Sequence, residues 1–174
     1  MPSHRNLLHA SVVLIATAFA ATLLPTAASA QAVNFHFHFA GTMSCQSPLP
    51  VANAPVSGDG NGTLSPDGSV TAVITQSLLV FSTQLNFDSK LGSGLTPVPG
   101  GTGQVRVTGR SGLKLIWNLP NNSLIVNINV RGQSCSATFA TPLKPGMTQV
   151  SMFDGTMYHY CTPPVMTSSL CEIK

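Results

Sequence analysis

The chain has 174 residues, of which only 7% are charged, and its formal net charge is +3. An ordinary soluble domain has about 25% charged residues, so Ser, Thr, Asn, Gln and Gly supply most of the polarity here. A net charge this small gives no basis for binding nucleic acid or an anionic membrane surface. The composition fits an exported β protein instead.

The first thirty residues have the pattern of a secretory signal peptide. Arg5 supplies a positive charge, an uncharged apolar run extends from Val12 to Leu24, and Ala28 and Ala30 are small residues of the kind found at cleavage sites. The run is shorter than the roughly 20 residues that cross a bilayer. We therefore expect cleavage after Ala30 without membrane insertion, and a single β domain over residues 31–174 that is secreted or periplasmic.

The predicted domain begins with a strictly alternating stretch. Its apolar positions are Val33, Phe35, Phe37 and Phe39. Its polar positions are Asn34, His36 and His38. A period of two places alternate side chains on opposite faces of a strand, so the apolar residues of this strand are expected to face the core.

Two segments rich in Pro and Gly are predicted to be loops. Residues 47–62 contain three prolines followed by a glycine-rich run, and residues 89–103 contain several glycines and two prolines. Proline cannot donate to a sheet and glycine favours turns. Because binding sites are common on loops, these two segments are where we expect a binding site.

Alternation continues along the rest of the chain, interrupted by short turns. Trp117 shares an apolar face with Leu113 and Leu115, which predicts a core position. We count about nine strands and no convincing helical period after residue 30. The pattern predicts an all-β antiparallel meander, with an up-and-down barrel favoured over a two-sheet sandwich.

Four cysteines, Cys45, Cys135, Cys161 and Cys171, lie in the predicted mature chain. An even number behind a signal peptide predicts two disulfides formed in an oxidising compartment. Of the three pairings, we favour Cys161 with Cys171, which are close in sequence, and hence Cys45 with Cys135.

Carboxylates are too few to predict acid–base chemistry. Asp59, Asp67 and Asp154 each precede a glycine, which is typical of turns. That leaves Asp88 and Glu172 without a structural explanation. No local nucleophile motif is found, so we expect a protein that is not an enzyme.

The best candidate for a metal site is the pair His36 and His38. Histidines at i and i+2 of a strand point the same way and can share a zinc or copper ion. His159 is the predicted third ligand, provided that the strand around it lies beside the first one. The alternative is that His36 and His38 simply belong to a solvent-facing strand surface.

No motif of a known family is recognised, and three hypotheses for function remain. The first is an exported, non-enzymatic β domain that binds an unknown protein or serves as a structural module. The second is a metal-binding protein that uses His36, His38 and His159. The third is a barrel whose apolar interior holds a small apolar ligand.

Overall fold

A computed structural model describes residues 31–90, 94–108 and 112–174 of the chain. These residues form twelve β-strands that pair antiparallel, and within those ranges there is no helix that could span a membrane. In chain order the strands are β1 (Val33–Ser47), β2 (Val51–Leu64), β3 (Val70–Leu78), β4 (Phe81–Asp88), β5 (Leu95–Val98), β6 (Gly101–Thr108), β7 (Gly112–Asn118), β8 (Ser123–Arg131), β9 (Ser134–Ala140), β10 (Val150–Phe153), β11 (Tyr158–Cys161) and β12 (Val165–Ile173). The all-β antiparallel prediction is confirmed, with more strands than the nine expected.

The first sheet has seven strands and is built around β1. Its order is β10-β11-β1-β2-β3-β4, and β12 also pairs with β1. One edge of β1 pairs with β2 along most of its length. The other edge pairs with β12 over residues 35–42 and with β11 around Cys45 and Ser47. The outward side chains of β1 are therefore flanked by strands on both sides.

The second sheet has five strands in the order β5-β6-β7-β8-β9. Its inner face packs on the first sheet through Leu113, Leu115 and Trp117, all of them buried. The core position predicted for Trp117 is therefore confirmed. Between the sheets, the rings of Phe39 and Phe139 stack with their centroids 4.4 Å apart.

The two sheets approach a barrel but do not close one. At one seam, between β4 and β5, Thr96 Oγ1 donates to the carbonyl of Asn86 at 2.7 Å. At the other, between β9 and β12, Ser169 Oγ donates to the carbonyl of Ala137 at 2.6 Å. Side chains connect these strands, while the backbone ladders of the described residues stop at β4 and β5 on one seam and at β9 and β12 on the other. The preference for a barrel was therefore wrong; β5 is only four residues long and contains Pro97, which has no N–H to donate.

The predicted loop over residues 47–62 is largely strand β2. Gly58, Gly60 and Gly62 face the core directly opposite Phe39, Phe37 and Phe35 of β1. A Cβ atom at any of the three would lie within 2.3 Å of a phenylalanine ring atom. The glycines are therefore sites where rings lie flat on the sheet, which is a known use of glycine inside strands.

The second predicted loop and the tail also contain strands. Residues 89–103 include β5 and the start of β6, while Leu91 to Ser93 lie outside the described residues. The segment after Pro164 forms β12, which runs beside β1. Both strands were missed because they are short or carry few large apolar residues.

The disulfides join Cys45 to Cys161 and Cys135 to Cys171. The favoured pairing was therefore wrong. Cys161 lies opposite Cys45, whereas Cys171 lies opposite Phe37, eight residues back along β1. At about 3.3 Å per residue this places Cys161 and Cys171 roughly 26 Å apart, beyond the reach of a disulfide. Two buried or half-buried disulfides indicate a chain that folds in an oxidising, extracytoplasmic environment.

Candidate functional sites

His36 and His38 lie on the outer face of the first sheet, at the centre of three adjacent strands. His36 is opposite Glu172 of β12 on one side and Asn61 of β2 on the other. His38 is opposite Asp59 of β2. Antiparallel pairing brings directly opposite side chains close together, so β1 presents two imidazoles between two carboxylates.

The side chains of this group, which we call the His36 cluster (His36, His38, Asp59 and Glu172), are in contact. Asp59 Oδ2 lies 3.0 Å from His36 Nε2 and 3.5 Å from His38 Nδ1. On the other side of the His36 ring, Nδ1 lies 4.0 Å from Glu172 Oε2. One carboxylate oxygen therefore faces both histidines, and each nitrogen of His36 faces a carboxylate.

His159 does not join this cluster. It lies in β11 on the same face as Cys161, with its side chain buried in the interior, while His36 and His38 face outward. Strand β11 pairs with the far end of β1, around Cys45 and Ser47. The structure thus brings the first two predicted ligands together and places the third on the opposite face of the sheet.

His159 instead forms a buried pair with Asp154. The carboxylate accepts a hydrogen bond from His159 Nε2 at 2.7 Å, and its other oxygen accepts from the N–H groups of Thr156 and Met157 and the Thr156 hydroxyl. Burial on its own raises the pKa of Asp154. The hydrogen bonds from His159, Met157 and Thr156 outweigh burial and hold that pKa well below its usual value of 3.8. The pair fixes the β10–β11 turn.

The interior is filled by the protein's own side chains. A cavity of about 20 Å³ lies between the sheets, lined by residues that include Phe39, Phe87, Leu115 and Trp117. That volume holds about one water molecule. Within the described residues, this cavity has no room for the small apolar ligand of the third hypothesis.

One end of the molecule exposes apolar side chains on its turns. We call it the apolar end and define it by Leu49, Val80, Phe81 and Met157, all of which are exposed. Leu49, Val80 and Met157 lie in the β1–β2, β3–β4 and β10–β11 turns, and Phe81 is the first residue of β4. The start of β4 lies near β10 and β11, since the ring centroids of Phe81 and His159 are 6.5 Å apart and Thr83 Oγ1 donates to the carbonyl of Phe153 at 3.5 Å. Strand β11 pairs with the end of β1, which brings the β1–β2 turn to the same end.

The β3–β4 turn combines strain with exposure. Leu79 has a positive φ of 58°, a conformation that favours Gly or Asn. Its neighbour Val80 is 90% exposed. A residue other than glycine in the left-handed conformation costs roughly 1 kcal/mol or more, and such residues cluster at functional sites. The turn thus keeps an apolar side chain at position 79, where Gly would relax the backbone.

Charge is unevenly distributed between the two ends. The turn residues 48–50, 79–80 and 99–100 contain no charged side chain, and the one charged residue in the β10–β11 turn, Asp154, is buried. At the opposite end, Asp67 and Lys90 lie in the turns after β2 and β4, and Arg131 precedes the β8–β9 turn. The exposed side chains on the turns of the apolar end are therefore apolar rather than charged.

Comparison with protein-family models, curated proteins and solved structures found no match to this chain. Both candidate sites are therefore identified from the geometry of this structure alone. Sequence reasoning missed Asp59 and Glu172, because Asp59 precedes a glycine and was interpreted as a turn residue. Even with residues 51–64 predicted as a strand, a regular hairpin folded at residues 48–50 would pair His38 with Gly60; the register shift between Met43 and Cys45 is what brings Asp59 opposite His38.

Proposed function

We propose that this protein is an exported, non-enzymatic binding module, secreted or periplasmic, and that it binds a partner protein through the apolar end. The observation that carries the proposal is Val80, which is 90% exposed beside the left-handed Leu79. The pattern of residues 1–30 and the two disulfides support export.

The shape and chemistry of the apolar end favour a protein partner. Its apolar side chains lie on or next to separate turns and protrude from the surface. A partner protein with an apolar recess would be complementary to them. Solvent-exposed apolar clusters are typical of interaction sites, and a few residues that become buried at the centre of an interface supply most of its affinity. The small interior cavity favours this surface over a ligand chamber as the binding site.

Site-specific photo-crosslinking in the cells that export the protein tests the proposal. A photoreactive phenylalanine analogue replaces Val80 in one variant and Val165 in the control. Val165 is also an exposed valine, at 69%, but it lies at the start of β12, outside the turns of the apolar end. We expect one discrete protein adduct from position 80 and none from position 165.

Binding to the purified adduct partner provides the decisive measurement. Val80→Asp should weaken the affinity at least about tenfold, which corresponds to about 1.4 kcal/mol, and Val165→Asp should leave it unchanged. Both variants should melt like the wild type because both side chains lie in solvent. Equal adducts from the two positions, or equal affinities of the two variants, would contradict the proposal.

A further inference from the structure

The His36 cluster carries an inference independent of the apolar end, because it shares no residue with it and lies on the outer face of the first sheet. Its members come from three neighbouring strands: His36 and His38 from β1, Asp59 from β2 and Glu172 from β12. Backbone ladders hold these strands in register on both sides of β1. Strand pairing therefore brings the four side chains together without requiring any interaction between them.

Two pairs of donor atoms, each including Asp59 Oδ2, have the spacing of two ligands around one small cation. Zinc bonds to imidazole nitrogen and carboxylate oxygen are about 2.0–2.1 Å long, so two ligands of a tetrahedral ion lie about 3.3 Å apart. Asp59 Oδ2 lies 3.0 Å from His36 Nε2 and 3.5 Å from His38 Nδ1. The expected separation between two zinc ligands lies between these two distances.

Glu172 occupies the position of an outer carboxylate. A metal-binding histidine usually gives its second ring N–H to a carboxylate, which fixes the tautomer and orients the ring. The Nε2 atom of His36 points toward Asp59. The other ring nitrogen of His36, Nδ1, lies 4.0 Å from Glu172 Oε2. The fourth coordination position faces solvent, because the cluster lies on the outer surface of the sheet.

Binding of an ion requires the donors to move closer together. Within the described ranges, no group of three or more His, Cys, Asp or Glu side chains is placed so that it could hold a metal ion as it stands. His38 and Asp59 have side chains 40% and 53% exposed, so they are free to turn about an ion. Imidazole with carboxylate suits Zn²⁺ and Cu²⁺, whereas Mg²⁺ and Ca²⁺ prefer sites made of oxygen alone.

We propose that His36, His38 and Asp59 bind one divalent transition-metal ion of the Zn²⁺ or Cu²⁺ class, with Glu172 as the hydrogen-bond partner of His36. This site replaces the predicted set that included His159. It uses both histidines of the first strand and the two carboxylates that pairing brings beside them.

Calorimetric titration of the untagged protein with ZnCl₂ and with CuCl₂ tests the site. We expect one ion per chain, and no heat with MgCl₂ or CaCl₂. His36→Ala, His38→Ala and Asp59→Asn should each weaken binding at least about a hundredfold, and Glu172→Gln about tenfold. Asp88→Asn is the matched control, a carboxylate on β4 of the same sheet away from the cluster, and it should bind like the wild type.

The electron paramagnetic resonance spectrum of the Cu²⁺ complex adds a measurement on the unaltered chain. Two nitrogen ligands are expected, falling to one in His36→Ala. A spectrum with one nitrogen in the wild type, an affinity that the histidine variants do not change, or the absence of heat with both transition metals would overturn the proposal. Melting curves of each variant confirm that it is folded.

Discussion

Single residues decide how the first sheet forms its core, and the glycines of β2 are the best example. Phe35, Phe37 and Phe39 are buried in a row with neighbouring rings 6.4 and 6.5 Å apart. Each ring covers a glycine on the adjacent strand, where a side chain would occupy the same space. Glycine normally weakens a strand, and here ring packing offsets that cost.

Gly60→Ala is therefore expected to destabilise the protein. The new Cβ would lie 2.2 Å from the Phe37 ring, and overpacking of a core costs about 1–3 kcal/mol. Urea unfolding measures the free energy. Ser57→Ala, on the outer face of the same strand, is the control and should change it by less than about 0.5 kcal/mol. Equal stability of the two variants would refute this account of the glycines.

The Asp154–His159 pair is a second residue-scale feature, and it makes stability depend on pH. The folded pKa of Asp154 is lower than its unfolded value. Its stabilising contribution is therefore complete above about pH 4, the unfolded pKa of Asp, and is lost as the pH falls toward the folded pKa.

Asp154→Asn should accordingly flatten the acid side of the stability profile. At pH 7 we expect the variant to lose about 1–3 kcal/mol, the typical cost of disturbing a buried hydrogen-bonded group. The difference from the wild type should shrink as the pH falls below 4. Urea midpoints measured from pH 7 to pH 2 provide the test. A difference that stays constant over this range would show that the carboxylate charge is not involved.

At the scale of elements, β12 connects the two sheets. It pairs with β1 along one edge, and Cys171 joins it to Cys135 of β9. Ser169 adds the hydrogen bond to Ala137. The Cys45–Cys161 disulfide has a different position, since it joins β1 to β11 within one sheet. The two disulfides therefore fasten different parts of the fold.

Removing each disulfide separately should show this difference. The chain-entropy model gives a loss of roughly 4 kcal/mol for Cys135→Ala with Cys171→Ala, and roughly 5 kcal/mol for Cys45→Ala with Cys161→Ala, whose closed loop is longer. Hydrogen exchange followed by mass spectrometry should show β12 losing protection in the first double variant. If β12 exchanges at the wild-type rate there, the disulfide does not hold the seam between β9 and β12.

At the scale of the whole molecule, the two proposed sites occupy different parts of the first sheet. The His36 cluster lies on the outer face toward the start of β1, Leu49 and Met157 lie in turns near the end of β1, and the β3–β4 turn follows Leu78, which is level with Gly41 of β1. The core between them is closely packed, with a cavity of only about 20 Å³. A rigid two-sheet body of this kind presents both sites from strands and short turns rather than from long loops.

The sequence by itself determined the local features of this protein. The period of two assigned the phenylalanines of β1 and Trp117 to the core, and it placed His36 and His38 on one outer face. The cysteine count predicted two disulfides, which are present. These predictions succeeded because side-chain alternation and composition are properties of neighbouring residues.

Only the tertiary structure decided which distant residues meet. The pairing of the cysteines, the meeting of Asp59 and Glu172 with His36, and the separation of His159 all follow from the register of strands far apart in sequence. Strand β2 was not predicted because several of its core positions are glycines. Only the structure shows that the phenylalanine rings of β1 pack over these glycines. Register depends on such long-range packing, and the local pattern of one segment does not contain it.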